Sequence, residues 1–132
     1  MALQRKADRQ SPLEAIIDIS YADPVAYGTA ENAFQLPQNA IVLGGDLTVL
    51  TAWNSATTAT LSLGDANSAT RYMNAVDLKT VARTALTPTG YKHTIAEWLK
   101  ATISQTGTAA TAGAARLRVS YIVQGRSLSN QG

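Results

Sequence analysis

The chain contains no cysteine among its 132 residues, which removes disulfide frameworks, thiolate-bound zinc and thiol nucleophiles at once and leaves the redox compartment open. Histidine occurs once, as His93, so a site built from several imidazoles cannot form within one subunit and a Ser-His-Asp triad would hang on this residue. No GxSxG segment precedes it, and the LGGDL run lacks the GxxxxGK[ST] and GxGxxG spacings that cradle phosphates. Placed at the start of a strand after Thr-Gly-Tyr-Lys, His93 reads as a surface or hydrogen-bonded boundary residue. Charge is sparse, with charged residues at 15% of the chain. The nine acids are scattered singly along strand ends and turns, whereas carboxylate-driven hydrolysis needs two converging on one bond. Asp23, Asp46 and Asp65 each adjoin Pro or Gly, where an Asp side chain accepts from nearby backbone amides and shapes a turn. No catalytic residue, cofactor site or metal site is expected, and the protein reads as a non-enzyme.

Long apolar runs are missing too, and without 18 consecutive apolar residues no transmembrane helix is expected. The opening MALQRKADRQSP is positively charged, but Asp18 and Asp23 interrupt the hydrophobic stretch behind it, unlike a signal peptide. The product is expected in the cytosol when made, reaching its destination by assembly. The net charge of +2 comes largely from Arg5, Lys6 and Arg9 near the start and Arg116, Arg118 and Arg126 near the end. That is thinner than the basic, aromatic-interleaved stripe of a nucleic-acid binder, so neither nucleic acid nor membrane is an expected partner.

What the chain does have is period-2 alternation. A length of 132 residues with 45% hydrophobic content fits one domain able to bury a core without staples, and an Ala- and Thr-rich surface suits contact with protein neighbours. Residues 1–12, polar and closed by Pro12, read as an N-terminal arm that is either disordered or laid on a partner; 13–126 form the domain and 127–132 a C-terminal tail. Leu13 to Tyr21 read as a strand with Ala15, Ile17 and Ile19 on one face. A short strand around Phe34 and Leu36 turns at Pro37–Asn39 into a long strand, where Gly44-Gly45 predicts a bulge that brings Leu47, Val49, Thr51 and Trp53 to one side. Residues 60–65 form another strand, and 66–84 a crossing loop with a short strand near Val76 to Val81. In 93–105, Ile95, Leu99, Ala101 and Ile103 share a face with Glu97 as the charged exception; in 116–124, Leu117, Val119, Tyr121 and Val123 alternate with polar residues. These two segments are expected to pair as a hairpin, Ile103 against Leu117 and Leu99 against Tyr121, with Trp98 meeting Ile122 on the outer face beside Lys100 and Arg118. The expected architecture is an all-β, single-domain antiparallel β-sandwich of jelly-roll type with an extended N-terminal arm.

Beyond the strands, NAIVLGGDLTVLTAWNSATTATLSLGDANSATRYMNAVDLK and TAGAARLRVSYIVQGR resemble small head-decoration, or cement, proteins of tailed bacteriophages. The likeness rests on Thr51 to Ser55, the Gly64-Asp65 turn, the Thr111 to Gly113 loop, Arg116 to Val123 and Gly125-Arg126. It implies a virion structural protein that forms a homo-oligomer, trimer or dimer, and binds the major capsid protein on the outer surface of the head, stabilising it. Trp98, Lys100, Arg118 and Ile122 are then candidate contacts, the alternative being that a second sheet or loop of the same subunit covers Trp98 and Ile122. In the arm, Leu3 would anchor in an apolar groove while Arg5, Lys6 and Arg9 face acidic groups on a neighbouring shell protein. The rival reading is a carbohydrate- or receptor-binding sandwich of a phage tail or fibre, with Trp53, Trp98, Tyr27 or Tyr91 stacking on sugars.

Overall fold

Alternation along so many short segments commits the backbone to sheets whose apolar faces must find each other. The computed structural model describes residues 12–124, and among them the regular elements are β1 (Leu13–Ser20), β2 (Ala30–Leu36), β3 (Ala40–Thr51), β4 (Thr58–Gly64), β5 (Met73–Asp77), β6 (Arg83–Ala85), β7 (Lys92–His93), β8 (Glu97–Thr106) and β9 (Ala114–Val123). One sheet, A, has the order β1-β9-β3-β6, with β7 also bonded to β3; the other, B, has the order β2-β8-β4-β5. Every pairing is antiparallel. With the short β7 set aside, this is the strand order of a jelly roll, as the sequence leads one to expect. Leu36, Leu47, Leu61, Leu63, Leu99 and Leu117 are wholly buried between the sheets, each contributing roughly 1.5–3 kcal/mol.

The bulge at Gly44-Gly45 is present. The β3–β9 register slips between Val42 and Gly44, so the inward set changes from Ala40 and Val42 before the slip to Leu47 and Val49 after it. Gly45 adopts a φ of 146°, and a Cβ there would lie 2.0 Å from the Arg118 carbonyl oxygen. A second slip, between Val49 and Thr51, is not legible in the sequence; it leaves Thr51 exposed, while Trp53, beyond the strand end, packs inward against Gly113.

The expected hairpin between β8 and β9 does not exist. β8 lies between β2 and β4 in sheet B, and β9 between β1 and β3 in sheet A. The inward faces are as expected, with Leu99, Ala101 and Ile103 facing the core from one sheet and Leu117 and Val119 from the other. Period 2 reports which side chains point inward, not which strand lies alongside, and the 107–113 connection is long enough to cross the roughly 10 Å between packed sheets. Trp98 and Ile122 therefore sit on opposite outer surfaces. Ile95 falls outside β8 and is exposed. The strand expected at 76–81 lies earlier, as β5, and β6 follows it; Leu78 between them is a loop residue buried in the core. The domain boundary at 126, the arm and the tail extend outside the described residues.

Two substitutions test the bulge. Gly45→Ala forces a Cβ into a neighbouring backbone at a φ that disfavours it and should cost at least about 2 kcal/mol. Gly44→Ala, where a Cβ meets nothing within 4 Å, should stay within about 1 kcal/mol of the parent. Urea unfolding midpoints of the two variants measure the contrast. Val119→Ala, which truncates a wholly buried side chain, should cost at least about 1 kcal/mol in the same assay.

Candidate functional site

Three places concentrate polar chemistry: a buried cluster at one corner of the sandwich and the two outer sheet faces. The cluster starts at the Gly64-Asp65 turn. Asp65 shapes it as expected, its Oδ1 accepting from the backbone N–H groups of Asn67 and Ser68 at 3.0 and 2.9 Å. Its Oδ2 accepts from Arg71 Nε at 2.6 Å, and the Arg71 guanidinium lies 3.8 Å from the centre of the Tyr91 ring. Tyr91 in turn meets the His93 ring edge-on with centroids 4.9 Å apart. His93, on β7, is wholly buried; its Nε2 is 2.8 Å from Tyr72 Oη and its Nδ1 2.9 Å from Glu97 Oε2.

The protonation pattern follows from these contacts. Burial pushes the Tyr72 hydroxyl up to about 12, so it keeps its proton. Glu97 Oε2 accepts from Nδ1–H, and Nε2 and the Tyr72 hydroxyl share a hydrogen bond whose direction follows the tautomer. Burial also acts to raise the Asp65 carboxyl, but the hydrogen bonds from Arg71, Ser68 and Asn67 outweigh it and hold the group below the ordinary carboxylate range. Asp65, His93 and Glu97 bring potential metal-ligand atoms within 4.8 Å of one another. Those atoms are already engaged: Asp65 by Arg71 and two amides, His93 by Tyr72 and Glu97. Among the described residues no buried side-chain nitrogen or oxygen lacks a partner. The cluster therefore ties the β4–β5 loop and β8 of sheet B to β7 of sheet A. The sequence led one to expect His93 as a surface or hydrogen-bonded boundary residue; it is hydrogen-bonded but wholly buried, not at the surface, and the convergence around it was missed, the available signal being Glu97, the one charge on the inward face of its strand.

The outer faces differ in character. On sheet A, Arg118 of β9 donates to Glu14 of β1 and to Asp46 of β3, and Asp46 also accepts from Arg83 of β6, a chain of charges across the full width of the sheet. Arg116 pairs with Asp18 beside it at 3.0 Å. Asp46 thus sits outward within β3 and does not form a turn as its neighbouring glycine led one to expect. Partial burial works to raise its carboxyl, yet hydrogen bonds and charge from Arg83 and Arg118 hold it low. Sheet B instead carries hydroxyls: Thr58 faces Thr106, Thr60 faces Ser104 and Ser62 faces Thr102. Thr58 and Thr106 Oγ1 atoms are 2.6 Å apart.

The expected contact residues are dispersed over both faces. Trp98, 40% exposed, lies opposite Gln35, and Lys100 lies between Asn32 and Gly64, both on sheet B. Ile122 faces Ile41 on sheet A, and Arg118 is held in the charge chain described above. Leu3, Arg5, Lys6 and Arg9 lie outside the described residues.

Replacing Asp65 by Ala strands the Arg71 guanidinium and two amides in a buried corner and should cost about 3 kcal/mol by urea unfolding. Because the Asp65 carboxyl ionises below its unfolded value near 3.9, its contribution is complete above that pH and is lost as pH falls through the lowered folded value. The unfolding midpoint should therefore drop below about pH 4, and Asp65→Ala should flatten that acid limb.

No family model matches the chain, and no curated protein matches it. Solved structures do. A chain in the capsid asymmetric unit of cyanophage Pam1 aligns with a TM-score of 0.69 and 25% identity over 93% of this chain and 92% of its own length. A chain in the capsid of Ralstonia phage GP4 aligns with a TM-score of 0.68 at 17% identity, covering 96% of this chain and 93% of that one. A third, from the acidic stable capsid of Helicobacter pylori bacteriophage KHP30, gives 0.65 at 18% identity, covering 91% and 92%. This two-sheet fold is thus shared, nearly end to end, with chains of three phage capsids.

Proposed function

We propose that this protein is a non-enzymatic structural component of a tailed-phage virion, a cement protein that self-associates and binds the major capsid protein on the outer surface of the head. The observation that carries the reading is the match to the cyanophage Pam1 capsid chain, which extends over more than nine-tenths of both chains at 25% identity. The chemistry of the molecule supports it. The cluster richest in titratable groups is internally satisfied, its side chains spent on one another as a lock between sheets. The outer faces are broad sheet surfaces suited to lie against protein neighbours.

The carbohydrate-binding alternative needs free aromatic faces, and most of its candidates are occupied. Trp53 is 1% exposed, and its Nε1–H donates to the Tyr27 hydroxyl, which itself donates to the Tyr21 carbonyl. The Tyr91 ring is capped by Arg71. Trp98 remains, on a polar face of hydroxyls with Gln35, Asn32 and Lys100.

Purified virions should contain the protein at a fixed ratio to the major capsid protein, measured by quantitative mass spectrometry and by density on the head in electron cryomicroscopy. Its absence from virions overturns the reading. Trp98→Glu places a charge on an outward position that is 40% exposed, so it should lower the unfolding free energy by no more than about 1 kcal/mol while lowering capsid occupancy in a reconstitution assay. Binding on a glycan array without capsid attachment would favour the carbohydrate reading.

A further inference from the structure

The sandwich is open along one side, between edge strands β1 of sheet A and β2 of sheet B. A groove of about 140 Å³ lies there, floored by Ile17, Ile19, Ala101 and Ile103 and flanked by Asp23 and Glu31. That space suits a single aliphatic side chain. Its charge is unbalanced. Among the described residues Glu14, Asp18, Asp46 and Asp65 each meet an arginine and Glu97 meets His93, whereas Asp23, Glu31 and Asp77 appear in no ion pair. Two of those three carboxylates line the groove. The described arginines 71, 83, 116 and 118 are all spent on the ion pairs just named.

Complementary chemistry lies in the chain just before β1: Leu3 supplies an aliphatic group and Arg5, Lys6 and Arg9 supply cations. We propose that the groove between β1 and β2 receives the arm, residues 2–9, of a second copy of this chain, with Leu3 on the aliphatic floor and the basic side chains against Asp23 and Glu31. A second copy is favoured over the chain's own arm by direction. The groove lies toward the Ser20 end of β1, while the arm leaves from the Leu13 end, and Pro12 biases the residue before it to an extended conformation. An extended arm of this length can span roughly 35 Å from the Leu13 end, far enough to reach the groove of a neighbouring copy. This inference rests on the self-association in the proposed function and gives it a contact.

The absence of native cysteine makes the test clean. Full-length Leu3→Cys and Asn32→Cys proteins, the latter substituted at an exposed position lining the groove, are mixed under mild oxidation. A disulfide-linked dimer should dominate, and Leu3→Cys paired with Thr87→Cys, on the opposite open side of the sandwich, should give little. Adding Asp23→Asn and Glu31→Gln, which remove both charges and leave each side chain one acceptor oxygen for the backbone amides it meets, should lower the cross-link yield at least about fivefold, as should raising salt. A yield no higher than the Thr87 control overturns the contact, and so does a doubly substituted Leu3→Cys/Asn32→Cys chain that closes on itself as a monomer. Sedimentation of the unmodified protein separates the two levels. Self-association without the cross-link removes the arm–groove contact alone; a monomer at every concentration removes the self-association reading with it.

Discussion

Sheet A depends on the register of β3, which is bonded to β6, β7 and β9. A twelve-residue strand that kept strict alternation would present Ala40 and Val42 inward only by turning Leu47 and Val49 to solvent. The slip at Leu43, permitted by a glycine where a neighbouring carbonyl leaves no room for Cβ, corrects the parity midway. Everything lateral follows from it. Asp46 comes to the outer surface between Arg118 and Arg83, Leu47 reaches the core opposite Leu117 of β9, and the start of the strand is free to hold β7 and thereby His93.

The polar corner shows how a jelly roll manages a charge it must bury. An isolated carboxylate at the position of Asp65 would be expensive, and the turn that follows β4 answers with two amides before Arg71 arrives. Arg71 is then stacked on Tyr91, Tyr91 on His93, and His93 bonded to both Tyr72 and Glu97, so each group is oriented by the next. The result is a specific joint between sheets, where an apolar contact would have allowed sliding.

Sequence alone made the inward faces legible because alternation is local: Leu117 and Val119, or Leu99 and Ile103, declare their side of the sheet within a few residues. It also carried the bulge, since a Gly-Gly pair inside a strand has few other readings. Lateral pairing was not legible, because nothing in β8 names β2 and β4 as its neighbours in preference to β9; the expected Trp98–Ile122 contact failed for that reason and not for any fault in parity. The polar corner was hidden for a related cause. Its members come from positions 65, 71, 72, 91, 93 and 97, and only the winding of the chain brings those segments to one end. Glu97 alone hinted at it, as a charge on a face that should have been apolar.

The ladder of charges across sheet A has a consequence for how the molecule meets others. Glu14, Arg118, Asp46 and Arg83 alternate in sign and nearly cancel at any distance greater than the Debye length, so that broad face is electrostatically quiet. The hydroxyl-covered face of sheet B, where Lys100 and Asp77 oppose each other in sign, carries little net charge as well. Field lines emerge instead from the seam between β1 and β2, where Asp23 and Glu31 are not cancelled. A cationic segment approaching from solution is drawn to a narrow edge and not to the wide surfaces, which makes the encounter rate sensitive to salt while the lifetime of contacts on the two faces is set by shape.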